Sequence, residues 1–415
     1  MQRRAGTTIV ALAALAAGLT GAVGAGTARL VAQRGGAAAP PAYQVDPLWP
    51  KPLPNHWILG SVTGVAVDSR DHVWIVHRGA DSLNARTEMG LASTPPSAEE
   101  CCAPAPPVLQ FDPAGNLVGH WGGPGAGYTW PTTPGGIAID PKGNVWITAA
   151  GWPEPAAARG GGAGRRGAGG GRAGAGGAPA PPPPTVRPHD AHILKFSSTG
   201  QFLQQFGKPG ASDGNASQTT FNKPAGLDLD PSANELYVAD GHDNRRVVVL
   251  DAATGAYKRH WGAYGTPPDE TNPGPYDPAQ PAAKQFRLVS CVAVAGDGLV
   301  YVCDRTGNRI QVFRKNGGFV SEAVIAKATL GNGAVWDVAF SSDPQQRHLF
   351  VADGQNHTVT ILQRDTMQVV GQIGSGGRWP GHFYAVGSVA VDSRGNLYTG
   401  ETFEGKRVQK FLPRR

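Results

Sequence analysis

Six copies of one phrase constrain this chain more than any other feature. Each copy is a short run of small and β-branched residues, a turn, then an apolar run centred on an aromatic. The first three read Gly64-Val-Ala-Val-Asp68 with Val73-Trp-Ile-Val76, Gly136-Ile-Ala-Ile-Asp140 with Val145-Trp-Ile-Thr148, and Gly226-Leu-Asp-Leu-Asp230 with Leu236-Tyr-Val-Ala-Asp240. The others read Cys291-Val-Ala-Val-Ala295 with Val300-Tyr-Val-Cys-Asp304, Asp337-Val-Ala-Phe-Ser341 with Leu349-Phe-Val-Ala-Asp353, and Ser388-Val-Ala-Val-Asp392 with Leu397-Tyr-Thr-Gly-Glu401. A hairpin of this kind cannot bury both faces alone and must stack on its neighbours. A third apolar run follows in each copy, such as Val247-Val-Val-Leu250 or Val359-Thr-Ile-Leu362. Turn residues and a fourth segment often come next, ending His120-Trp-Gly122, Gln205-Phe-Gly207 or His260-Trp-Gly262. Four antiparallel strands per copy make the blade of a β-propeller. The predicted fold is all-β, a six-bladed β-propeller of four-stranded antiparallel blades over residues 43–415.

The sixth copy ends after its third strand, at Phe411-Leu-Pro-Arg-Arg415, and a three-stranded blade would leave an unpaired edge. The segment Tyr43-Gln-Val-Asp-Pro-Leu-Trp49, upstream of the first copy, is expected to fill that place and close the ring. Asp240 with Arg246, Asp304 with Arg309, and Glu401 with Arg407 span the turn between strands two and three. Charge-assisted bonds bracing that turn are expected, with Thr358 replacing the Arg in the fifth copy. Insertions fall at residues 79–106 and 151–188, and a Pro-rich loop at 265–284 is placed to lie across one face of the ring. The second insertion holds a Gly/Ala/Arg/Pro tract without aromatics, which cannot bury apolar surface and is expected to be disordered.

Residues 1–28 read as an export signal: Arg3-Arg4, an apolar run from Ile9 to Val23, then small residues at Gly24-Ala-Gly-Thr-Ala28. The run is shorter than the ~20 residues of a bilayer-spanning helix, so no membrane association beyond the signal is expected. The chain should be periplasmic or extracellular, with residues 29–42 a disordered linker to a monomeric propeller. The formal charge of +6 is local: eight of the 37 basic residues lie in acid-free residues 1–42 and 156–184, leaving 29 against 31 acids elsewhere. That balance argues against a nucleic-acid surface on the propeller. An exported chain permits disulfides. Cys291 and Cys303 fall opposite each other if the hairpin turns at Asp297, so a bridge there competes with two free buried thiols. Cys101 and Cys102 are adjacent, which disfavours a bond between them and leaves pairing elsewhere or free thiols.

The repeated phrase, with Asp304 and Asn308-Arg309 after it, resembles the NHL-repeat family. The stretches His77-Arg-Gly79, Cys101-Cys-Ala-Pro-Ala-Pro-Pro-Val-Leu-Gln-Phe111, Tyr257-Lys-Arg-His-Trp-Gly262 and Gly405-Lys-Arg-Val408 look like one branch of it, bacterial proteins similar to peptidyl-α-hydroxyglycine α-amidating lyase. That resemblance implies a zinc held by three His at the pore, a Tyr base, a calcium ligand and an Arg that orients a carboxylate. The Arg falls on Arg78, but the three His positions fall on Gly135, Ser290 and Gly387, the Tyr on His242 and the calcium ligand on Ser388. No zinc or calcium cofactor is therefore expected. A metal site rebuilt from His77, His242 and His382 is the alternative.

The leading expectation is a binding scaffold with its metal ligands replaced. Arg78 and His242 line its pocket at the pore mouth, and His77 and Asp337 are further ligand-binding candidates, with Asp337 and Asp228 pointing into the channel. The Pro-rich loop gates the pocket, and a carboxylated small molecule or peptide is the ligand. Whether the chain is an enzyme is left open, with Arg78 and His242 the candidate catalytic residues. The alternatives are a divergent lyase-like enzyme with a rebuilt pore site, a hydrolase using Asp228 and Asp337, and a protein-interaction platform binding a protein partner.

Overall fold

The second strand of each repeat is apolar on both faces, so it is stable only between two neighbouring sheets. In the computed structural model, which describes residues 40–151 and 189–414, that demand is met by six four-stranded antiparallel sheets. The expected export signal, residues 29–39 of the expected linker and the Gly/Ala/Arg tract lie outside the described residues.

The second strands Val73–His77, Val145–Ala149 and Glu235–Asp240 are buried at every position. The fourth strands, such as Leu117–Trp121, alternate with solvent because only one face is covered. Apolar clusters fill each gap between successive blades. Trp74, Ile147 and Phe196 pack between blades one and two, and Tyr237, Val289 and Phe313 between three and four. Val62, Ile75, Ala390 and Tyr398 pack between six and one, which makes the ring continuous.

The acid of the repeated phrase has a definite partner. The Trp74 indole donates to Asp68 at 3.1 Å, the Trp146 indole to Asp140 at 3.3 Å, and the Tyr398 hydroxyl to Asp392 at 3.0 Å. The phrase thus couples a turn carboxylate to the polar atom of the central aromatic, which would otherwise be buried unpaired.

The expected closure is present. Tyr43–Asp46 pairs antiparallel with Arg407–Pro413, with Val45 opposite Phe411. Trp49 then packs on Tyr398 and Phe111 from blades six and one.

The expected turn braces are present as well. Arg246 is directly opposite Asp240, Arg309 opposite Asp304 and Arg407 opposite Glu401. The first two donate Nε to their acids at 2.9 Å. These arginines also donate to loop carbonyls, those of Thr220, Gln285 and His382 respectively. Each brace therefore ties the loop entering its own blade to the turn between strands two and three.

Cys291 and Cys303 are opposite in register and joined by a disulfide, their Cα atoms 5.0 Å apart. Cys101 and Cys102 are bonded to each other, contrary to the expectation for an adjacent pair. With the other two cysteines committed inside blade four, each of these has only its neighbour. No residue of the Pro-rich loop lines the mouth cavity or the adjoining channel. The Glu270 carboxylate accepts from Asn215 N at 2.7 Å, and the Tyr276 hydroxyl donates to Lys327 O at 2.8 Å. These contacts tie the loop to the segments that enter blades three and five.

Candidate functional site

The residue just before the repeated phrase is Thr63, Gly135, Ala225, Ser290, Trp336 and Gly387 in the six copies. All six line one cavity of about 190 Å³ at the pore mouth. The strand register breaks between Val62 and Gly64, Pro134 and Ile137, Val289 and Cys291, and Val386 and Ser388. A bulge re-aims the side chain it carries, and here it turns Thr63, Gly135, Ser290 and Gly387 toward the mouth. The repeat thus builds a ring of small and polar residues around the axis.

Residues just after the second strands add the charge. Arg78 follows Val73–His77 and Arg305 follows Leu299–Asp304, and both line the mouth cavity. Gly79 follows Arg78 at φ +54°, a conformation that suits glycine. His77 is fully buried beneath this turn. Its Nδ1 accepts from Gly60 N at 3.1 Å and Gly79 N at 3.0 Å, so Nε2 carries the proton and donates to Pro106 O at 2.9 Å. Burial pushes its pKa down to about 4. The expectation that His77 binds ligand is therefore corrected: both its ring nitrogens are engaged, and it anchors the backbone that presents Arg78.

The Arg78 guanidinium has no ion-pair or hydrogen-bond partner among the described residues, and its Nε is buried. Arg305 donates Nε to Asn332 O at 2.8 Å and stacks on Trp336, 3.3 Å from the ring centroid. Burial draws the Arg305 pKa down to about 9, so it is a guanidinium held where cation hydration is poor. His242 reaches the mouth because Gly241 lets the chain pass close to blade four. A Cβ on Gly241 would lie 2.0 Å from Val289 O. Burial, then the charges of Arg305 and Lys223, push the His242 pKa down to about 4 and keep the imidazole neutral. Among the described residues no Asp or Glu lines the cavity, and Phe403 and Trp336 give it an aromatic edge, 5.8 Å between ring centroids.

Asp337 does not line the mouth cavity. It lines the adjoining channel of about 480 Å³ with Asp228, below the ring of small residues. Asp337 accepts from Val338 N at 2.9 Å and from Val389 N of blade six at 3.0 Å. Asp228 accepts from Leu229 N at 2.8 Å and from Val294 N of blade four at 2.7 Å. Both carboxylates are spent on bracing successive blades. Burial raises their pKa values, to about 6 for Asp228 and about 7 for Asp337.

The positions that the lyase resemblance assigns to zinc do converge: Gly135, Ser290 and Gly387 share the mouth cavity. Their chemistry does not fit the ion. Two have no side-chain donor, and the Ser290 hydroxyl donates to Val335 O at 3.1 Å. The rebuilt alternative fares no better, since both His77 ring nitrogens are engaged and His382 Nδ1 bonds Ser375 at 3.0 Å.

Sequence reasoning singled out Arg78 and His242 and missed Arg305, Trp336 and Phe403. The signal for two of them was available. Arg305 occupies the same repeat position as Arg78, and Trp336 the same position as Gly135, Ser290 and Gly387.

The family model for the NHL repeat matches residues 286–313, which span most of blade four. NHL repeat-containing protein 3 of Mus musculus is 24% identical over 337 residues, covering 80% of this chain and 70% of that protein. The Homo sapiens protein of the same name is 27% identical over 180 residues, 43% of this chain and 44% of its own length. Among solved structures, inactive virginiamycin B lyase from Staphylococcus aureus with quinupristin aligns over 90% of this chain and 88% of its own, with TM-score 0.45 and 10% identity. The six blades built on the repeated phrase form a β-propeller, and most of its fourth blade matches the NHL-repeat model.

Proposed function

We propose that the chain is a binding scaffold whose mouth cavity holds a carboxylate-bearing small molecule or peptide end. The observation that carries this reading is Arg78: a guanidinium with a buried, unbonded Nε, facing a cavity with no acid among its described lining residues. An unpaired donor in such a place is costly unless something else completes it. A guanidinium fork matches a carboxylate through two parallel bonds. The neutral His242 and the Trp336 and Phe403 rings offer a hydrogen-bond partner and apolar cover for the rest of the ligand.

The protein is read as working outside the cytoplasm. The apolar run at residues 9–23 with small residues after it, and two disulfides in the described part of the chain, support that reading. Mass spectrometry of protein recovered from the periplasm or medium tests it, since a mature chain should begin near residue 29.

The ligand test is thermal unfolding with peptides ending in a free carboxylate and with the same peptides amidated. Free-carboxylate peptides should raise the midpoint, amidated ones should not, and Arg78→Gln should remove the response while its ligand-free midpoint stays close to wild type. No shift with any carboxylate, or a shift that survives Arg78→Gln, overturns the proposal.

A further inference from the structure

The mouth cavity carries two unneutralised guanidinium groups, and their places in the repeat fix how they face. Arg78 belongs to blade one and Arg305 to blade four, each just after its second strand. Blades one and four are half a turn apart in a ring of six, so the two side chains approach the axis from opposite sides. Among the described residues neither forms an ion pair and no lining residue is acidic. Every other described side chain of the lining is neutral, including His242 at pH 7. One carboxylate would answer one fork and leave the second cation without a counter-charge.

We propose that the preferred ligand is a small dicarboxylate spanning the axis, one carboxylate on Arg78 and the other on Arg305. This rests on the carboxylate-binding reading above and narrows it from any carboxylate to a paired one. The volume supports a small molecule, because about 190 Å³ is below the roughly 300–1,000 Å³ of drug-sized sites. The stack of Arg305 on Trp336, with Nε tied to Asn332 O, fixes the plane of one fork before any ligand arrives. Pre-set donors lose less freedom on binding. A single phosphate is the poorer match, since it would draw both forks to one point, whereas they enter from opposite walls.

Calorimetric titration of the full chain with malonate, succinate and glutarate, against butyrate and inorganic phosphate, tests the proposal. At least one dicarboxylate should bind about tenfold or more tighter than butyrate, the gain expected from a second charge-assisted contact. Arg305→Gln should bring that dicarboxylate down to the level of butyrate, and so should Arg78→Gln. Circular dichroism of each variant checks that it is folded, and Arg305→Lys should restore part of the preference by returning the charge. Equal binding of butyrate and the dicarboxylates, lost in Arg78→Gln, would sink the dicarboxylate and leave the carboxylate reading standing. Phosphate binding without dicarboxylate binding would sink it in favour of a phosphoryl ligand. No binding of any of these anions at millimolar concentration would remove both readings.

Discussion

Asp337 and Asp228 are inner-strand carboxylates whose oxygens accept backbone N–H bonds from their own blade and the next. Burial raises both pKa values, and for Asp337 the charge of Asp228 adds to the effect. A carboxyl raised to about 7 in the folded chain, against about 4 unfolded, binds its proton more tightly when folded. Its contribution to stability is then fully present below pH 4 and is lost as pH rises through 7. The buried His77 and His242 act in the opposite sense, because a depressed imidazole pKa makes the fold gain stability as pH rises from about 4 to 6.5. The two effects are separable by substitution. The melting temperature of Asp337→Asn should lose less than that of wild type between pH 5 and pH 8. Parallel pH profiles of the two proteins would refute the assignment.

At the scale of the element, the unit is a turn braced to a loop. Arg246 is fully buried, donates to Asp240 at 2.9 Å and reaches the carbonyls of Asn215, Ser217 and Thr220. Removing it strands a buried carboxylate and three carbonyls at once, and breaking a buried pair from one side costs about 3–5 kcal/mol. Arg246→Ala should lower stability to denaturant by about that amount. Thr358→Arg in blade five would add a cation opposite Asp353, where no ion pair is present among the described residues. If Arg246→Ala unfolds at the wild-type denaturant midpoint, the brace is not structural. The same repeat geometry explains why two mouth residues were overlooked. Arg305 and Trp336 lie at repeat positions already marked by Arg78 and Ser290, but only the folded ring shows that those positions look into the pore.

For the whole molecule, the decisive feature is that the two ends of the described propeller meet in one sheet. Tyr43–Asp46 supplies the fourth strand of blade six, and Trp49 enters the apolar cluster between blades six and one. Ser61 donates to Phe403 O at 2.7 Å and Ser393 to Asp71 at 2.6 Å, so the seam is bonded at both faces of the ring. A chain lacking residues 40–49 would present a bare strand edge in blade six and an emptied apolar seam. Such a chain should lose the single cooperative unfolding transition and self-associate. Calorimetry and size-exclusion chromatography would show this, and a monomer with an unchanged transition would count against closure as the source of cooperativity.

The sequence by itself determined the blade count, the strand order within each blade, the closing strand and the turn braces. All of these follow from local period, turn chemistry and residues only a few positions apart. It also showed that Gly135, Ser290 and Gly387 cannot supply imidazoles. Only the tertiary structure decided which polar residues share a cavity. His77 and Arg78 are neighbours in the chain, yet one is sealed in the core and the other faces the mouth. Arg78 and Arg305 are far apart in sequence and meet across the axis. The physical reason is the ring closure. It brings six distant segments to one point, and the strand register there sets which side chain turns inward.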